Sequence, residues 1–298
     1  MNGAAEPPAL PPEGWYPDPD RPDGERYWDG AHWSDEYRTP QTGHRLEDPS
    51  DRPQSLEILS RLAIAGLVVC ALVEVNNIAA DLEYMGLITD VIEGDPATGL
   101  ETAEVQDRVD AASIAVGVSY LVTGLLFFIP WFHRAYANLS RMGVKALRYK
   151  PVWAIGSWFI PIFNLFRPKQ IANDIWRASA ADAHVGDERW HARAVGALVH
   201  WWWALFLLAG LVVGAGANVI AQADDQPVTP EAQLIETLEL ERTGYTLDVV
   251  GSVISIAAAV LAIVVVRRLT ATQAETIAGL ERESALSGTS APFEPGGP

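Results

Sequence analysis

Three histidines and an aspartate, His133, His191, His200 and Asp174, are the side chains whose types suit proton transfer or metal ligation. Imidazole titrates near neutral pH, and a carboxylate beside it can orient the ring or share a metal. Each histidine also lies within two residues of a tryptophan (Trp131, Trp190, Trp201), the pairing expected of amphipathic anchors at a membrane surface. The chain holds no phosphate-cradling glycine loop, no nucleophile elbow and no histidine pair of zinc-protease spacing. These residues predict no catalytic group, no metal site and no cofactor.

Binding is better provided for than reaction. Trp158, Asn164, Arg167 and Trp176 lie in or just after PVWAIGSWFIPIFNLFR, residues 151–167, and combine flat rings, an amide and a guanidinium suited to a lipid headgroup. Tyr27, Trp28 and Trp33 form a second aromatic set near the N-terminus, suited to a proline-rich or extended peptide of a cytoplasmic partner.

The elements that must position the first set are membrane helices. Four apolar runs, at about 56–80, 111–132, 194–221 and 247–266, are long enough to cross a hydrocarbon core of roughly 30 Å. Val152 to Phe166 is too short: as a helix it would reach roughly 22 Å, and Pro161 interrupts it. Lys150 before it and Arg167 with Lys169 after it all favour the cytoplasmic face. The segment is therefore expected to enter and leave on one side as a re-entrant loop, or to lie in the membrane plane. The fold class expected is an all-α integral membrane protein of four transmembrane helices. A short re-entrant or interfacial segment falls between the second and third, and a small aromatic β-hairpin module precedes them all.

Details within the spans follow from composition. Glu74, Asn76 and Asn77 fall in the outer third of the first span, where Glu74 is expected to reach water. Gly210, Gly214 and Ala217 are spaced for close helix contact in the third. Pro130 is expected to kink the second, Pro168 to open a helix that Gly186 stops, and Asp187 to cap the next. Thr229-Pro230-Glu231 should start a short outer helix ending at Gly244.

Charge sets the orientation. The formal net charge is −17, but Arg108 and Arg242 are the only basic residues in the two loops placed outside, whereas Arg134 to Arg193 carries ten. That bias puts both termini in the cytoplasm, with the chain in the cell membrane and the phospholipid bilayer as its first partner. The acidic outer loops lack the spacing of a calcium loop and read as solvated. Eight of the eleven tryptophans fall at the inner face, which makes that face the elaborated one. No basic patch accompanies a nucleic-acid motif, so nucleic acid is not an expected partner. Cys70, the single cysteine, supports neither a disulfide framework nor a thiolate zinc site. No apolar run precedes residue 56, so the first span is expected to act as its own insertion signal.

Residues 1–13 read as a disordered Pro-rich arm, 14–38 as a Trp-rich cytoplasmic module, 39–54 as a linker, 55–268 as the membrane domain and 269–298 as a largely disordered cytoplasmic tail. In the module, Asp29-Gly30 is the two-residue turn of a hairpin joining Arg26–Trp28 to Ala31–Trp33. That register would place Arg26, Trp28, Ala31 and Trp33 on one face, with Arg26 over Trp33, and Tyr27 and His32 on the other.

The pattern GWYPDP…RYWDG…W closely resembles the actinobacterial module called domain of unknown function 2510, which typically precedes membrane segments. The segment SWFIPIFNLFRPKQIANDIW, through Trp158, Pro161, Asn164, Phe166, Pro168 and Trp176, resembles the core of the four-helix membrane family called domain of unknown function 4328. That resemblance covers about 52–268 and implies the four-helix fold, while neither family implies an activity.

Together these readings predict a membrane-anchored interaction or scaffold protein, with an aromatic head that recruits a partner and an inner-leaflet face that binds lipid. One alternative is a small-molecule or ion transporter or channel lined by Glu74, Asn76, Ser119, Thr123, Asn164 and Asn218. Another is a lipid-processing enzyme using the histidines.

Overall fold

The computed structural model describes residues 12–17, 25–38, 52–94, 99–180, 188–225 and 231–288. The expected arm up to residue 11, the linker over 39–51, the Gly186–Asp187 junction, Thr229-Pro230 and the tail from 289 lie outside the described residues. The chain divides into two units, Met1–Asp51 and Arg52–Pro298.

The first unit is a three-stranded antiparallel sheet of β1 (Gly14–Pro17), β2 (Glu25–Trp28) and β3 (Trp33–Arg38), in that order. The expected hairpin therefore gains a strand, and its turn is longer. Trp28 pairs with Trp33, leaving the four residues Asp29 to His32 as the loop. Asp29 Oδ1 accepts the N–H groups of Ala31 (2.7 Å) and His32 (2.6 Å), and Gly30 alone takes a positive φ, +95°. A side chain that closes the turn itself removes the need for two left-handed residues. Those N–H groups, His32 first, hold the Asp29 carboxyl below its ordinary range. Ala31 and His32 thus leave the strands, and Arg26 pairs with Tyr37 and lies 5.0 Å over that ring, where the shorter turn would have offered Trp33. Trp28 meets Trp33 edge-on at 5.2 Å, and Trp15 meets Tyr27 at 5.3 Å.

The second unit is helical. Its long elements are α1 (Glu57–Ile92), α2 (Gly99–Val122), α3 (Ile129–Arg141), α7 (Ala197–Asp224) and α8 (Glu231–Gly288). Between them lie single-turn α4 (Trp153–Gly156) and α5 (Pro161–Asn164), and α6 (Arg167–Ala178). Four rods are long and apolar enough to cross a membrane, with α2 and α3 counted as one. The chain is a multi-pass membrane protein. α2 and α3 join through a π-helical turn, Thr123–Phe128, in which Ile129 N–H reaches the Gly124 carbonyl. Pro130 explains it: a ring there clashes with the carbonyl four residues back, and widening the turn keeps the rod continuous.

Residues 151–167 are indeed broken. α4 and α5 are separated by turns, and Pro161 starts the second.

α8 departs from expectation. Its 58 residues form one helix of roughly 87 Å, absorbing the outer helix expected to end at Gly244, the fourth span and residues 269–288, expected to be disordered. No proline occurs in this stretch. Leu269, Gln273 and Thr276 are buried, so tertiary packing extends the helix past the span. Gly244 is a packing residue instead of a stop: a Cβ there would fall 2.5 Å from Ile220 Cγ1, and one on Gly251 2.6 Å from Val213 Cγ2. The close contact of α7 with α8 thus runs through Gly216, Gly244 and Gly251, while Gly210 and Gly214 face open space.

α1 buries Ser60, Ala63, Leu67, Cys70, Glu74, Asn77, Asp81, Tyr84 and Ile88, alternating steps of three and four that keep one seam on its neighbours. Glu74 is 2% exposed, against the expectation that it reaches water. α1 packs between α2 and α8, and α8 packs on α7, whereas α2 is not packed along α7.

At one end of the unit, a polar clasp gathers the chain. Asn138 exchanges hydrogen bonds with the Gln54 backbone (2.8 and 2.9 Å) and donates to Gln273 Oε1 (3.2 Å). Gln273 donates to the Ala135 carbonyl (2.8 Å) and Ser179 Oγ (3.1 Å). The start of α1 and the late part of α8 therefore share an end with α3 and α6.

Candidate functional site

The unpaired α2 and α7 leave a cleft of about 1060 Å³ between them. Its walls combine small residues, among them Gly124, Gly210, Ala217 and Ala259, with large apolar ones such as Leu67 and Phe206, and its polar part includes Glu74, Asn77, Asp110, Asp224 and Asp248. Trp158, Asn164 and Leu165 from the broken segment contribute to its lining. Trp158 is fixed edge-on by Phe128 (5.7 Å), Phe132 (5.8 Å) and Trp203 (6.1 Å). The Asn164 Oδ1 and Trp158 Nε1 atoms are buried without hydrogen-bond partners among the described residues.

Arg167 forms a separate arrangement on the same segment. Its guanidinium stands 3.8 Å from the Phe163 ring centre, 3.9 Å from Trp153 and 5.2 Å from Tyr149. The Tyr149 ring is itself fixed by hydrogen bonds of its backbone to Tyr136 Oη and of its hydroxyl to Gln170. Among the described residues Arg167 has no carboxylate partner, and its Nη1 is buried and unbonded. Around the cage, Phe159 (59%), Ile162 (71%) and Phe166 (59%) are exposed. A half-buried cation beside aromatic rings and flanked by bare apolar side chains has the make-up of an interfacial anchor.

Trp176 lies against Gly196, with the Arg268 guanidinium 5.2 Å over its ring. Nearby, Lys169 donates to Asn173 Oδ1 (2.7 Å), and both Lys169 and Arg177 face His200. Burial, then the Arg177 charge, pushes the Lys169 amine down to about 8. Asp174 is fully buried with neither oxygen hydrogen-bonded among the described residues, and Arg148 stands 3.7 Å away. Burial pushes its carboxyl up, against the pull of Arg148, His191 and Arg177.

The four residues suited to proton transfer do not form one centre. Asp174 faces His191, His200 faces Lys169 and Arg177, and His133 has Arg141 and Arg134 as its charged neighbours. His191 Nε2 lies 3.1 Å from the Ala146 carbonyl, and the ring stacks on Trp190. Among the described residues no three His, Cys, Asp or Glu side chains are grouped to hold a metal.

Of the expected binding residues, Trp158 and Asn164 meet in the cleft, Arg167 has its own cage, and Trp176 belongs to the cationic patch. Tyr27, Trp28 and Trp33 lie in the other unit, half-buried, with Tyr27 on the opposite sheet face from the Trp28–Trp33 pair. The residues the sequence did not reveal are Asp81 and Asp248, which read as solvated loop acids. Asn77 Nδ2 donates to both, at 3.0 Å and 2.9 Å, and Asp81 is fully buried. The signal that could have found them is the spacing of Glu74, Asn77 and Asp81 on one helical face.

A family model described as Domain of unknown function (DUF4328) matches residues 95–271, and one described as Protein of unknown function (DUF2510) matches residues 14–45. No curated protein and no solved structure matches the chain.

Proposed function

The chain belongs to the DUF4328 family, and we propose that it is a membrane-anchored interaction protein whose inner face binds anionic phospholipid while its aromatic head recruits a partner. The Arg167 cage carries this reading. An arginine with no carboxylate partner among the described residues, on a segment of exposed Phe159, Ile162 and Phe166, matches a phosphate headgroup above acyl chains. Lys169 and Arg177 add positive charge on the helix that Arg167 opens, and Arg268 adds it from α8. In this reading residues 151–167 dip into or lie along the cytoplasmic leaflet of the cell membrane, and both termini are cytoplasmic. The head, with the Trp28–Trp33 pair half-open, takes an extended or proline-rich segment of a cytoplasmic protein.

Brominated lipids test the carrying claim, because bromine quenches tryptophan fluorescence on contact. Brominated phosphatidylglycerol should quench the full chain in nanodiscs more strongly than brominated phosphatidylcholine, and Arg167→Gln should remove the difference. Equal quenching by both lipids in the wild type would overturn it.

A further inference from the structure

We infer that the cleft between α2 and α7 is a binding site for a lipophilic organic cation, an amphiphile with an ammonium-like head and an apolar body. This goes beyond the lipid reading, since it concerns another part of the bundle and a ligand of opposite charge.

Besides Asp110 and Asp224, which also line it, three carboxyl groups are built into or behind the cleft. Glu74 and Asp248 line it, and Asp81 stands behind, tied to Asp248 through the Asn77 amide. Glu74 and Asp81 are 2% and 0% exposed. No Lys or Arg forms an ion pair with any of the three among the described residues. Asp81 Oδ1, fully buried, has no hydrogen-bond donor among the described residues. Carboxyl groups buried in an apolar bundle stay ionised only beside a compensating positive charge and otherwise hold a proton, and the described residues supply no such charge here.

The remaining geometry selects the kind of cation. The carboxyl groups are not clustered to cage a metal ion. The hydroxyls of Ser252, Tyr120 and Ser255 stand around Glu74, giving a broad polar surface instead of a tight ligand shell. Most of the remaining lining is apolar, and it includes the aromatic rings of Trp158, Trp202 and Phe206, which suit a charged or aromatic body. Its volume of about 1060 Å³ suits a drug-sized molecule. The gap between α2 and α7 gives such a molecule a sideways route from the bilayer.

Equilibrium dialysis of radiolabelled tetraphenylphosphonium against the full chain in nanodiscs tests this. Saturable binding is expected, with tetraphenylborate, of the same shape and opposite charge, not bound. Glu74→Gln keeps shape and polarity and should weaken binding about tenfold or more. Gly210→Leu should do the same, because a Cβ at Gly210 meets nothing within 4 Å and its side chain would fill the cleft without disturbing a helix contact. Gly214→Leu, also in open space but not lining the cleft, should bind like wild type. Should Gly210→Leu not fold, Glu74→Gln decides. Absence of saturable binding, equal binding of tetraphenylborate, or affinity unchanged in Glu74→Gln overturns the inference. None of these outcomes bears on the phosphatidylglycerol preference of Arg167.

Discussion

Gly196 lies so close to Trp176 that a Cβ on it would fall 2.3 Å from Trp176 Cζ2, far inside van der Waals contact. The loop leading into α7 is thereby seated on the ring that Arg268 of α8 covers from elsewhere. Gly196→Ala is expected to destabilise the membrane unit by about 1–3 kcal/mol, the usual range for overpacking. Trp176→Leu in the same chain should recover part of the loss. Thermal unfolding in detergent measures both, and an unaltered midpoint for Gly196→Ala would refute the contact.

Lys169 sets a pH limit on lipid capture. With its amine pushed down to about 8, it is charged below that pH and neutral above, so its contribution to an anionic headgroup is lost as pH rises through about 8. Stability moves the other way: between about 8 and the ordinary 10.5 the unfolded chain holds a proton the folded chain lacks, so folding gains as pH rises. Phosphatidylglycerol preference should therefore fall between pH 7 and pH 9 in the wild type, and Lys169→Arg should flatten that fall. A wild-type preference that does not change with pH would remove Lys169 from the site.

Ala146 holds a left-handed backbone, φ +57°, which costs an ordinary residue roughly 1–2 kcal/mol. Trp190 Nε1 donating to the Lys145 carbonyl (3.1 Å) and His191 Nε2 beside the Ala146 carbonyl (3.1 Å) keep it there. Ala146→Gly should stabilise the chain by about 1 kcal/mol and Ala146→Val should destabilise it, as read from unfolding midpoints. A destabilising glycine would contradict this account.

The sequence revealed what depends on hydrophobic length and proline. The four spans, the break at Pro161 and the disturbance at Pro130 all follow from local chemistry, and the structure places Trp158 and Asn164 in the lining of one cleft. What it hid depends on partners distant in the chain. Glu74 looked wet because its position along α1 says nothing of α8, whose Ser252 and Ser255 enclose it. Asp81 and Asp248 looked like loop acids until Asn77 joined them. Gly210 and Gly214 had the spacing of a helix contact, yet which face of α7 meets α8 is decided by the whole seam, and Gly216 holds it. The length of α8 beyond its apolar run comes from the polar clasp at Gln273.

The central claim, that residues 151–167 present Arg167 to the cytoplasmic leaflet, is tested most directly by the sidedness and depth of one exposed position. On a Cys70→Ala background, a spin label at Ile162 should be accessible to lipid-dissolved oxygen at a shallow depth and reduced only from the cytoplasmic side. Cysteine at Gly94 should label from outside and cysteine at Gly279 from inside. A label at Ile162 in bulk water, or one reached from the outer face, would contradict the account.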